Sequence, residues 1–115
     1  MKTTHLVMPQ DLNPFGSLFG GTMMGWMDIC AAMLSFKETK CNCVTAGVSS
    51  IDFIAPVKLG DVVEIEANRV KRGTKSLTVH VKAYKLNLFT NTRDIVTSAQ
   101  FVFVAVDENG RSKEW

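Results

Sequence analysis

Residues 13–36, NPFGSLFGGTMMGWMDICAAMLSF, decide the fold. They read as a glycine-bearing loop that enters one long helix, expected over about residues 20–37. Within residues 18–36 the only carboxylate is Asp28, and there is no Lys, Arg or His. At roughly 100° per residue, Gly21, Gly25, Asp28, Ala32 and Ser35 share one stripe, while Met23, Met27 and Leu34 project elsewhere. A helix that is apolar nearly all round is expected to be buried. This one is read as the core helix, with a narrow seam of small residues and one acid in it.

Burying a charged carboxylate is costly, which suits Asp28 to general acid or base work if substrate reaches the seam. The competing reading is a structural acid held by a backbone amide. A membrane span is excluded, because Asp28 sits near the middle and Gly20, Gly21 and Gly25 interrupt the run. An acid at a membrane centre costs about 2.5–3.5 kcal/mol or more.

Outward from the helix, residues 3–8 (THLVM and its Thr) form a short strand stopped by Pro9, followed by loop residues Asp11, Asn13, Pro14 and Gly16. Downstream, residues 44–54 are strand-like, but their apolar phase shifts from Val44, Ala46 and Val48 to Ile51 and Phe53, so a bulge is expected near Ser49 and Ser50. Pro56, Gly60 and Asp61 mark a turn. Val63, Ile65 and Ala67 then alternate, as do Leu77, Val79, Val81 and Ala83. Residues 95–106 are almost continuously apolar after Ser98, as in a strand buried on both faces or in a subunit contact. The tail RSKEW is read as exposed. Short connections make the four later strands antiparallel neighbours, giving an α+β fold in which a curved antiparallel sheet wraps around one long central helix.

The chain of 115 residues is read as a single domain, 1–115, with the 46% hydrophobic and 21% charged content of a soluble globular protein. A net charge of +2 does not point to nucleic acid or an anionic membrane. No apolar signal segment opens the sequence, which favours the cytoplasm. Cys30, Cys41 and Cys43 lack a second pair at zinc-ligand spacing, and an odd count argues against a disulfide scaffold; no metal is expected.

The segments MPQDLNPFGSLFGGTMMGWMD and SIDFIAPVKLGDVVEIEANRVKRGTKS resemble the hotdog-fold acyl-CoA thioesterases, in the branch of the bacterial YciA-type and brain-type acyl-CoA hydrolases. The resemblance runs over about residues 6–106. It implies that Asp28 is the catalytic carboxylate, that Asn13 helps to hold the thioester or the attacking water, and that the backbone at Gly20 and Gly21 polarises the thioester carbonyl. It further implies that Asn13 and Asp28 of one site come from different subunits. Lys71, Arg72, Gly73, Thr74, Lys75 and Ser76 match the segment that helps to hold the CoA moiety, where cations would attract its phosphates. Pro14 and Phe15 depart from the smaller or more polar residues of several relatives. No cofactor is implied, since coenzyme A is part of the substrate.

Elementary geometry leads the same way. Asp28 lies two turns, about 10 Å, beyond Gly21, too far for both to bracket one carbonyl, and a two-fold partner could supply the second group. A homodimer, or a hexamer built as a trimer of dimers, is expected. Neither His5 nor His80 adjoins a nucleophile motif, so a Ser-His-Asp triad is not expected. Whether Asp28 activates water or attacks as a nucleophile stays open. The rival readings are an acyl-thioester dehydratase or hydratase, which would need a well-placed His, and a non-catalytic acyl-CoA binding domain.

Overall fold

In the computed structural model, which describes Met1–Trp115, the alternation of residues 62–83 sets the inner face of a sheet. Strand β1 (Lys2–Leu6) leads through a single helical turn (Pro9–Asp11) to helix α1 (Gly20–Thr39), and then come β2 (Asn42–Phe53), β3 (Val62–Arg72), β4 (Ser76–Asn87) and β5 (Thr92–Val106). Val63, Ile65, Ala67, Leu77, Val79, Val81 and Ala83 are fully buried, as their period-2 spacing requires. Met23, Met27, Cys30, Ala31 and Leu34 of α1 close over them and over Ala99, Phe101 and Phe103 of β5 in one cluster.

Helix α1 ends two residues later than expected. Its buried hydroxyls satisfy themselves within the helix, Ser35 donating to the Ala31 carbonyl at 2.9 Å and Thr39 to that of Ser35 at 2.8 Å. Lys40 then turns left-handed, with φ of 58°.

Within one chain the all-round burial expected of α1 does not occur. Ile29 is 59% and Phe36 57% exposed, Met33 is exposed, and Asp28 is half-buried rather than enclosed. A helix laid on one face of a single sheet can bury only the stripe that meets it, so the remaining apolar stripe stays open.

The sheet order is β1-β3-β4-β5-β2, all antiparallel. Strands β3, β4 and β5 are the expected neighbours, but β2 is not beside β3: it crosses to the far edge and pairs with β5. The connection, residues 54–61, is no hairpin turn. It is pinned elsewhere, by the Leu18 N–H to the Val57 carbonyl (2.7 Å) and the Gly60 N–H to the Val7 carbonyl (3.0 Å). The bulge expected near Ser49 and Ser50 is present as a register shift between Ser49 and Asp52, with Ser50 at φ 52°, and a second shift separates Thr45 from Gly47.

Strand β5 departs from one of the two readings of its apolar run, burial on both faces. Ala99, Phe101, Phe103 and Ala105 are buried while Val102, Val104 and Val106 are only half-buried, so one face, not two, is covered. Arg111, Ser112, Lys113 and Glu114 of the tail are exposed as expected, and Trp115 alone departs from that reading. Ser112 bridges to Val106 and Trp115 packs against the core, because the turn after β5 sends the chain back along the sheet.

Candidate active site

The loop before α1 is built around Asn13. Its side-chain oxygen accepts the N–H groups of Phe15 (2.9 Å) and Ser17 (3.1 Å), and its own N–H donates to the Ser17 carbonyl at 2.7 Å. The turn needs a left-handed residue, supplied by Gly16 at φ 83°. Two backbone donors identify the carbonyl end of the Asn13 amide, so its NH2 group is the end left free for a ligand. Lys58 Nζ, donating to Ser17 Oγ at 2.9 Å, ties this loop to residues 54–61.

Helix α1 then starts without a side-chain cap. Its first backbone bond runs from the Met23 N–H to the Phe19 carbonyl at 3.1 Å, so the N–H groups of Gly20, Gly21 and Thr22 have no acceptor within the chain. Such groups, at the positive end of the helix dipole, suit a developing oxyanion. A methyl at Gly21 would lie 2.9 Å from the Phe19 ring, so that ring fits against a bare backbone. Beside Gly20 opens a cleft of about 360 Å³, walled mainly by Leu18, Met23, Phe53, Pro56 and Val57 with Thr97 among them.

Asp28 stands two turns along α1, where its Oδ1 accepts a 2.7 Å hydrogen bond from Thr45 Oγ1 of β2. Thr45 was not legible as a site residue, since a Thr within a strand carries no signal of what it faces. Asn13 and Asp28 of the same chain share no hydrogen bond. Within one chain Asn13 belongs to the loop before α1, Gly20 and Gly21 to its first turn, and Asp28, held by Thr45, stands two turns further along.

The residues Lys71, Arg72, Gly73, Thr74, Lys75 and Ser76 form the β3–β4 hairpin tip, closed by the Gly73 N–H on the Ser76 carbonyl at 2.9 Å. Thr45 pairs with Phe103, Phe103 with Leu77, and Leu77 with Arg72. The tip thus lies three strands, roughly 14 Å, across the sheet from Thr45, and within one chain it is separate from Asp28. The Arg72 guanidinium lies over the Trp115 ring, 3.9 Å from its centroid. Neither histidine joins these groups. His80 is on the outer sheet face between buried Val79 and Val81, and His5 stacks on Trp26 with ring centroids 4.5 Å apart. No three His, Cys, Asp or Glu side chains converge as a metal cluster.

The model of the thioesterase superfamily matches residues 15–88. The chain belongs to this superfamily. Its sheet and single helix are the hotdog fold of these thioesterases, superposing on the acyl-CoA hydrolase of Staphylococcus aureus, solved with butyryl coenzyme A and coenzyme A, with a TM-score of 0.95 at 34% identity over 99% of this chain and 70% of that one. An acyl-CoA thioester hydrolase of Haemophilus influenzae, itself uncharacterized, is 39% identical over 94% of this chain and 72% of its own length. The acyl-CoA thioester hydrolase YciA of Salmonella typhimurium is 37% identical over 94% of this chain and 84% of its own. A hexameric thioesterase of Yersinia pestis superposes with a TM-score of 0.91 at 34% identity, over 97% of this chain and 91% of that one. Alanine variants of the staphylococcal enzyme have been solved at an asparagine, an aspartate and a threonine. The intervals between those three residues equal those separating Asn13, Asp28 and Thr45 in this thioesterase-superfamily chain.

Proposed function

We propose that this protein hydrolyses acyl-CoA thioesters to a carboxylic acid and free CoA, with Asp28 as general base or nucleophile. The observation that carries this reading is the Thr45–Asp28 hydrogen bond at 2.7 Å, which fixes a lone helix carboxylate at the spacing found in the staphylococcal hydrolase. The site is shared between two copies. β2 leaves an open outer edge of the sheet, and Val48 on its helix-side face and Ile29 and Met33 of α1 are exposed apolar side chains that a second copy would cover. A homodimer, assembled into a hexamer as a trimer of dimers, accords with the hexameric neighbours.

In the dimer, the Gly20 and Gly21 N–H groups and the Asn13 amide of one copy receive the thioester carbonyl, and Asp28 of the other copy faces it. As base, Asp28 takes a proton from water while the resulting hydroxide attacks the carbonyl. The C–S bond then breaks, and the CoA sulfur leaves as a thiolate that is reprotonated. As nucleophile, the carboxylate would itself attack, forming an anhydride that water opens. The chemistry needs no cofactor, CoA being part of the substrate. Lys71, Arg72, Gly73, Thr74, Lys75 and Ser76 hold the CoA moiety, the cations meeting its phosphates. A cytoplasmic location belongs to the same reading, supported by three unpaired cysteines.

The test is free-thiol release from acyl-CoAs of graded chain length, with and without EDTA. Chelator-insensitive turnover is expected. Saturable CoA binding without thiol release would favour the non-catalytic binding domain instead.

A further inference from the structure

Arg72 differs from the other two cations of the hairpin tip. The ion pairs of the chain engage Lys2, Arg69 and Arg93, so Lys71, Arg72 and Lys75 all keep their charge unpaired. All three are exposed, but only Arg72 meets an aromatic ring, its guanidinium carbon sitting over Trp115. That ring is itself held in place. Its Nε1–H donates to the Ser76 carbonyl at 3.3 Å, the Trp115 N–H donates to the Thr74 carbonyl at 3.2 Å, and the indole packs against the core cluster. The rest of the tail follows the sheet, with the Lys113 N–H on the Ala105 carbonyl and the Ala105 N–H on the Lys75 carbonyl, both at 2.9 Å.

We infer that Trp115 is a positioning residue for the CoA-binding tip, a step that rests on the reading of this block as the CoA site. The indole is a held plate over which the Arg72 guanidinium carbon sits. A cation–π contact takes no N–H group, and no ion pair engages the Arg72 guanidinium, so its N–H groups are left for bidentate contact with a phosphate. The groove beside it, about 430 Å³ and lined by Arg72, Gly73, Thr74, Glu114 and Trp115, gives a phosphate access to those groups. Lysine cannot replace arginine here, because an ammonium has neither plane nor fork. Pre-ordering Arg72 lowers the ordering cost of binding without touching the reacting carbonyl.

The test compares Trp115→Ala, Trp115→Phe and the triple alanine variant of Lys71, Arg72 and Lys75 on two substrates. One is an acyl-CoA; the other carries the same acyl group on N-acetylcysteamine, which has no phosphate. Trp115→Ala is expected to raise KM for the acyl-CoA about 2- to 30-fold, the span of a cation–π contact, with kcat within about twofold. KM for the phosphate-free thioester stays unchanged, and Trp115→Phe recovers most of the loss. An equal KM rise on both substrates marks general damage and overturns the proposal. A wild-type KM in Trp115→Ala, alongside a raised KM in the triple variant, overturns the role of Trp115 alone. A wild-type KM in the triple variant removes the CoA assignment of the block, and the role of Trp115 with it. If Trp115→Ala does not fold, Arg72→Lys carries the test, since it keeps the charge and loses the planar fork; a wild-type KM there overturns the proposal.

Discussion

The hydroxyl of Thr45 donates to Asp28 Oδ1 at 2.7 Å, joining the helix carboxylate to the edge strand of the sheet. Asp28 comes from α1 and Thr45 from β2, 17 residues later, and the strand reaches this place only because it crosses to the far edge. The bond occupies one carboxylate oxygen and leaves the other for water or substrate.

Asp28→Asn keeps the shape of the side chain and its acceptor oxygen for Thr45, but removes the base. A general base contributes about 10²–10⁴-fold, so kcat is expected to fall by that order with the fold intact by circular dichroism. Wild-type turnover by a folded variant would remove Asp28 from the mechanism.

Thr45→Val replaces the donor with a methyl of similar size. If the hydroxyl aims the carboxylate, kcat falls about 10- to 150-fold, the worth of one hydrogen bond to a charged group, while KM moves little. Thr45→Ser restores the donor and most of the rate. Equal activity of the Val and Ser variants would assign the hydroxyl no part in turnover.

Each site is expected to combine Asn13 of one copy with Asp28 of another. Asn13→Ala and Asp28→Ala are each nearly inactive alone, but in a mixed dimer one site carries both lesions and the other neither. Random reassortment makes half the dimers mixed, so about a quarter of wild-type activity returns on co-expression. Activity that stays at the single-variant level in mass-verified mixed oligomers would place both residues in a site within one chain.

Loss of Lys71, Arg72 and Lys75 to alanine is expected to raise KM for acyl-CoA and flatten its dependence on salt, with kcat little changed. The measurement is KM at several ionic strengths. An unchanged salt slope would make the block an ordinary hairpin tip.

Burial beside Trp26 holds the His5 imidazole below its ordinary value of 6.5, against an upward pull from Asp11. Below that ordinary value the unfolded chain takes up the proton more readily than the folded one. Stability from this source is therefore complete above about pH 6.5 and is lost as pH falls toward the lower folded value. Between about pH 7.5 and about pH 5, the Tm of the wild type is expected to drop more than that of His5→Phe, which keeps a ring against Trp26. Parallel Tm curves would show that His5 titrates alike in both states.

Local chemistry made much of this protein legible in its sequence. The helix, the lone Asp28, the inward rows from Val63 to Ala67 and from Leu77 to Ala83, and the bulge at Ser49 and Ser50 all follow from periodicity and residue type, because side-chain direction is set by the backbone repeat within a few residues. What depends on partners distant in the chain was decided only by the tertiary structure. A period of two says which face a side chain takes, not which strand lies beside it, so the crossing of β2 to β5 and the meeting of Thr45 with Asp28 have no local signature. The tail is polar enough to read as solvated, yet Trp115 finds a place against the core and under Arg72, since the gain from burying an indole depends on a surface supplied by β3 and β4. The apolar residues of α1 likewise ask for cover on both its sides; the single sheet covers one, and Ile29, Met33 and Phe36 stay exposed on the other, because one layer meets only one stripe of a helix.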